Sequence, residues 1–165
     1  MEERRKTGVY ASCSYDEDSL QLLADWMEGH NDLIPMPVPM EQIHTTVVYS
    51  RKDFPCPIGE DIQLQNPLSF CPAGFALLGK TEDELACLVL LLDADPLVDV
   101  HEYLVDQGAQ HDYDDYIPHV TLSYGVPKDF DHSSIRVPDF CLKPSKIKFE
   151  PLNLNWCLQD AENVL

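Results

Sequence analysis

Two hydrophobic rhythms alternate along the chain. Residues 7–13 (TGVYASC) read as a strand, and the spacing then becomes helical through Leu20, Leu23, Trp26 and Met27, stopping at Gly29. Ser14 and Glu17 stand at the separation of a capping box, which places the helix start there. The proline-rich stretch 31–42 (NDLIPMPVPMEQ) cannot continue a helix and predicts an extended connector into a strand at 43–50. Beyond a loop holding Pro55, Pro57 and Gly59, apolar runs at 62–65, 75–79 and 85–92 predict neighbouring strands of one antiparallel sheet. Asp95 and Pro96 have the character of a cap and first residue for a second helix, built on Leu97, Val100, Leu104 and Val105 and closed by Gly108. Strand signals return at 119–124, 147–149 and 152–158. Two rounds of strand, helix and strand predict a two-lobed α+β architecture, the pattern an ancient duplication leaves.

Composition narrows the picture. At 165 residues, 44% hydrophobic and 24% charged, the chain fits one domain spanning 1–165, and no apolar run approaches the ~18 residues of a membrane span. Residues 1–12 carry cations without an apolar stretch behind them, so they do not read as a secretory signal, and a cytoplasmic location is expected. Eleven basic against 29 acidic residues give a net charge of −18. That argues against a groove tracking a long polynucleotide and against an anionic membrane surface. None of the six cysteines forms a C-x-x-C pair and most sit in apolar surroundings, so buried thiols are expected rather than disulfides or a zinc site.

The chemistry lies in a repeated motif. IHTTVVYS at 43–50 and PHVTLSYG at 118–125 both contain H-x-T followed by a β-rich run, with Tyr five positions after the His. Strict alternation puts His44 and Thr46 on one face and Thr45, Val47 and Tyr49 on the other. It likewise puts His119, Thr121 and Ser123 together, with Val120, Leu122 and Tyr124 toward the core. Two such strands facing each other would hold two imidazoles and two hydroxyls around one phosphate. Phosphodiester cleavage needs that set: a neutral imidazole as base, an imidazolium as acid, and hydroxyls on the non-bridging oxygens. No metal or other cofactor is needed. With only five threonines and six histidines in the chain, two H-x-T matches by chance would be rare.

Other candidates weaken on inspection. His111, Asp112, Asp114 and Asp115 lack the central Gly and distal Glu of a Ca²⁺ loop and read as a solvated loop. Arg51 and Lys52 read as an exposed cationic pair, and His30, His101 and His132 have no partner pattern.

The paired motifs resemble the two-histidine phosphoesterase superfamily, and with GVYASCSYDEDSL, IHTTVVYSRKDFP, YIPHVTLSYG and FEPLNLNW they resemble its branch of phage anti-CBASS phosphodiesterases. The resemblance implies a bilobal fold of antiparallel sheets with helices outside and a central cleft. It implies metal-independent cleavage of the 3′–5′ linkages in the cyclic di- and trinucleotides that signal infection, such as cyclic GMP–AMP and cyclic tri-AMP. His44, Thr46, His119 and Thr121 match the catalytic positions. Tyr10, Glu150 and Trp156 match nucleobase contacts, although by pattern alone Tyr10 and Trp156 read as packed strand residues and Glu150 as solvated. Phe75 stands where the resemblance leads one to expect a tryptophan, and is expected to bind substrate by stacking a base with less area. The expected partners are small cyclic oligonucleotides, bound by a monomer in the cytoplasm of the host bacterium. Two alternatives stay open: a 2′,5′-oligoadenylate or RNA 2′,3′-cyclic phosphodiesterase, and a cyclic-nucleotide sponge without turnover.

Overall fold

A computed structural model describes residues 8–64, 68–79, 85–109 and 116–152. Gly8 leads into the first strand with φ of +88°, where an added Cβ would lie 2.2 Å from the Ser50 carbonyl oxygen, so only glycine fits. In β1 (Val9–Tyr15) alternation holds throughout: Val9, Ala11, Cys13 and Tyr15 are buried, while Tyr10, Ser12 and Ser14 are half-buried. Helix α1 (Glu17–Gly29) is capped by Asp16, whose carboxylate accepts from the Ser19 N–H at 2.8 Å. Ser14 is no cap because it still belongs to β1. A 3-10 turn at Met40–Gln42 delays the next strand, β2, to Thr45–Ser50.

The remaining elements are β3 (Asp61–Gln63), β4 (Cys71–Leu78), β5 (Leu85–Asp93), α2 (Asp95–Asp106), β6 (His119–Pro127) and β7 (Pro144–Pro151). In α2 the cap position falls on Ala94 without a side-chain bond, so Asp95 sits inside the first turn, where its charge meets the positive end of the helix dipole. Of the strand expected at 152–158, Leu152 lies just past β7, and the rest falls outside the described residues.

Two antiparallel sheets result, in the orders β2-β1-β7-β3 and β4-β5-β6. The sequence expectation put β3 beside β4 and β5. It instead pairs with β7, as a short edge strand with all three residues exposed, tied by the Lys146–Asp61 ion pair at 3.1 Å. The helices cross over between lobes. Trp26 of α1, which follows β1, stacks on Phe75 of the second sheet at 6.2 Å, and the connector after α1 lies along β6, Val38 N–H donating to Leu122 O at 2.9 Å. Helix α2, which follows β5, reaches the first sheet through His101 Nδ1 to Val47 O at 2.7 Å.

The thiol expectation holds for Cys13 and Cys87, which are buried and outside any disulfide, and burial pushes the Cys13 thiol up to about 12. It fails for Cys71 and Cys141, which form a disulfide. These two face each other one position beyond an antiparallel bridge between Phe70 and Leu142 that brings distant segments together, something their separation of 70 residues does not announce. Cys157 lies outside the described residues. Among the described residues no helix is long and apolar enough to cross a membrane.

Candidate active site

The two H-x-T motifs are built alike down to their hydrogen bonds. Nδ1–H of His44 donates to Gln42 O and Nδ1–H of His119 to Ile117 O, each at 2.8 Å and each two residues upstream. A carbonyl can only accept, so both rings carry Nδ1–H and leave Nε2 as the atom for proton transfer. Both side chains are half-buried, as are Thr46 and Thr121.

Beyond each threonine, strict alternation fails in the same way. Ala11 pairs with Val48 and Ser12 with Thr46, which leaves Val47 as the extra residue of a β-bulge. Leu88 pairs with Ser123 and Val89 with Thr121, which leaves Leu122 in the corresponding place. Val47 and Val48 are therefore both buried, and so are Leu122 and Ser123. Ser123 does not join His119 and Thr121, because its hydroxyl donates to Pro35 O. The same bulge turns each motif's tyrosine away from the core. Tyr49 lies half-buried with its ring edge-on to Tyr10 at 6.1 Å, and Tyr124 is 38% exposed.

Each bulge carbonyl is satisfied by an element from the other lobe: Val47 O by His101 and Leu122 O by Val38 N–H. Tyr116, three residues before His119, donates its hydroxyl to Thr46 O at 2.7 Å and stacks on His101 with ring centroids 4.1 Å apart. It thereby ties the approach to β6 directly to β2, whose Cα atoms come within 8 Å of those of β6. Burial, aided by Cys13 and Tyr10, pushes the Tyr116 phenol far above its ordinary range, so it stays a neutral donor. His119 feels both its burial and the other histidine. Burial lowers the His119 pKa below its ordinary value and the charge of His44 lowers it further, against an opposing contribution from the Ile117 hydrogen bond.

Tyr10 reaches into this group: its hydroxyl lies 2.7 Å from His44 Nε2 and 3.0 Å from Thr46 Oγ1. Glu150 stands opposite Tyr10 in register on β7, hence on the same face, and is exposed. Phe75 is not brought to the site. It pairs with Leu90, which pairs with Val120, so it lies on the face opposite His119 and Thr121, stacked with Trp26 and tilted on His132 at 5.8 Å. Gly74 and Ala76 occupy the face that carries the motif. Trp156 and the acidic loop at 111–115 fall outside the described residues, and Arg51 and Lys52 are exposed. Among the described residues no three His, Cys, Asp or Glu side chains cluster as a metal site would require. Sequence reasoning missed His101 and Tyr116. Neither has a motif, since their partners are backbone carbonyls, which no residue pattern marks.

Comparison with known proteins gives consistent results. The family described as anti-CBASS protein Acb1 matches residues 7–159. The Acb1 protein of Enterobacteria phage T4 is 35% identical over 151 residues, 91% of each chain, and that of Salmonella phage S16 is 33% identical over the same coverage. Among solved structures, E. coli LigT complexed with 3′-AMP superposes with a TM-score of 0.53 at 11% identity, over 90% of this chain and 97% of that one. A structure described as a phosphoesterase gives 0.52 at 11% identity, with the same coverage. At these identities the likeness is one of fold.

Proposed function

The chain belongs to the anti-CBASS protein Acb1 family, and from that membership we propose that it linearises the cyclic di- and trinucleotides that signal infection to CBASS effectors. It is a phosphodiesterase of the two-histidine fold. The site reading is carried by the paired imidazoles, each held through Nδ1, with Nε2 of His44 meeting the Tyr10 hydroxyl, on strands joined by Tyr116.

In the proposed reaction neutral His119 takes the proton of a ribose 2′-OH, which attacks the adjacent phosphorus. The P–O5′ bond breaks and the 5′-oxygen receives a proton from the His44 imidazolium, leaving a 2′,3′-cyclic phosphate and a 5′-hydroxyl. Thr46 and Thr121 donate to the non-bridging oxygens. Each proton transfer contributes roughly 10²–10⁴ in rate, and the whole set works without a metal. What supports His119 as the base is its lowered pKa, which keeps it neutral near pH 7. Tyr10, Glu150 and Trp156 are proposed to hold the bases, through aromatic faces and a carboxylate that accepts from an exocyclic amine. One chain supplies both motifs, so the proposed site needs no second copy, and the phage relatives support action inside the host bacterium.

The test is incubation with 3′,3′-linked cyclic GMP–AMP in EDTA, beside 2′,5′-oligoadenylate and an RNA 2′,3′-cyclic phosphate. Opening of the ring in preference to the linear substrates is expected, with His44→Ala and His119→Ala each lowering kcat by at least about a hundredfold. A ring recovered intact overturns the proposal.

A further inference from the structure

On the first sheet, register places three polar side chains in one row across three strands. Thr46 of β2 pairs with Ser12 of β1, and Ser12 pairs with Lys148 of β7. Residues directly opposite in a ladder share a face, and this one is the catalytic face, because Tyr10, two residues from Ser12, bonds His44 and Thr46. Strand spacing sets the Cα atoms of Ser12 and Lys148 roughly 5 and 10 Å from that of Thr46.

Both Ser12 and Lys148 are half-buried, and among the described residues neither the hydroxyl nor the ammonium has a protein partner. A neighbour shows what a committed lysine looks like here. Lys146, also on this face, places Nζ 3.1 Å from Asp61 Oδ2, although Asp61 stands opposite Lys148 in register. Glu150, two residues beyond Lys148 on the same face, is exposed and makes no ion pair with it among the described residues. In a chain of net charge −18, a lysine left without a carboxylate beside a row of hydroxyls is shaped for an anion.

We propose that Ser12 and Lys148 form a second phosphate subsite, holding a phosphate of the ring other than the one being cleaved. The inference rests on the cyclic-oligonucleotide reading above and adds to it the means of selecting substrates with more than one phosphate. A compact ammonium on a flexible stem suits a phosphate that must be held without being activated.

The experiment compares wild type, Lys148→Gln, Lys148→Arg and Ser12→Ala at low ionic strength. Substrate is 3′,3′-linked cyclic GMP–AMP, and 3′-AMP serves as a single-phosphate competitive inhibitor. Lys148→Gln is expected to raise KM for the ring about tenfold, the loss of one charge-assisted contact, with kcat and the 3′-AMP inhibition constant within about twofold. Lys148→Arg restores most of the loss, Ser12→Ala gives a smaller rise of the same kind, and added salt shrinks the difference. Ring cleavage with an unmoved KM in Lys148→Gln, or equal weakening of the ring and 3′-AMP, overturns the subsite and leaves the function standing. Ring binding that depends on Lys148 without turnover overturns the function and keeps the subsite. A wild-type protein that neither binds nor opens the ring overturns both.

Discussion

In the proposed reaction the general base must be neutral when its substrate arrives, a state that the surroundings of His119 favour. Burial and the charge of His44 both depress its pKa, so it protonates only below its ordinary value. On the proposed assignment the acid limb of kcat/KM belongs to His119 and falls below the ordinary imidazole value. Because the charge of His44 acts on His119, that limb reports the pair rather than one ring alone. Removing the neighbour tests this directly. In His44→Asn the His119 ring, followed by NMR, is expected to titrate at a higher pH than in wild type, since one lowering influence is gone; a midpoint unchanged or lower contradicts the coupling. Tyr10 poses a different question, since a ring that only stacks on a base survives loss of its hydroxyl. Its bonds to His44 Nε2 and Thr46 Oγ1 predict that Tyr10→Phe lowers kcat about tenfold with KM little changed.

Among the elements, the bulges decide how the strands present their chemistry. Up to Thr46 and Thr121 alternation holds, and those four residues were legible because H-x-T fits regular pleating. From Val47 and Leu122 onward it misleads, since an inserted residue reverses the parity of everything after it, and Tyr49, Ser123 and Tyr124 land on faces the pattern assigns wrongly. Nothing in VVY or LSY announces this, because the bulge is fixed by partners on other elements, such as His101 beneath Val47 O. Phe75 was misplaced for a related reason: its face depends on a register through β5 that no local signal carries. Two helices and most of the strands were legible, whereas the sheet to which β3 belongs was not, being set by pairing with β7 late in the chain. The bulge in β2 is testable through Tyr116→Phe, which leaves Thr46 O without its donor. Urea unfolding is expected to show a loss of about 1–3 kcal/mol, and kcat to fall because Thr46 is no longer held; retention of both would show the bond to be idle.

For the whole molecule, two features set stability and selectivity. The Cys71–Cys141 disulfide closes a span of 70 residues across the lobes. Its removal in Cys71→Ala/Cys141→Ala is expected to cost about 2–4 kcal/mol in denaturant unfolding while the active site, built elsewhere, keeps its activity at 25 °C. The charge of −18 acts at longer range, repelling a polyanion along its length while a ring with two or three phosphates meets only the His–Thr pocket. Long single-stranded RNA is accordingly expected to be a poor competitor of cyclic GMP–AMP at physiological salt, and comparable cleavage of the two would contradict this. The interleaving of the lobes also governs when the protein becomes competent. Strand β1 lies between β2 and β7, so Tyr10 meets Glu150 only after the chain has been made almost from Val9 to Pro151. At ribosomal speeds of about 5–20 residues per second, β1 waits roughly 7–28 s with one edge open, exposed to strands of other nascent chains. A polypeptide released between β6 and β7 already carries both histidines and yet lacks the strand that completes the first sheet, so catalysis arrives with the end of synthesis rather than building up along it.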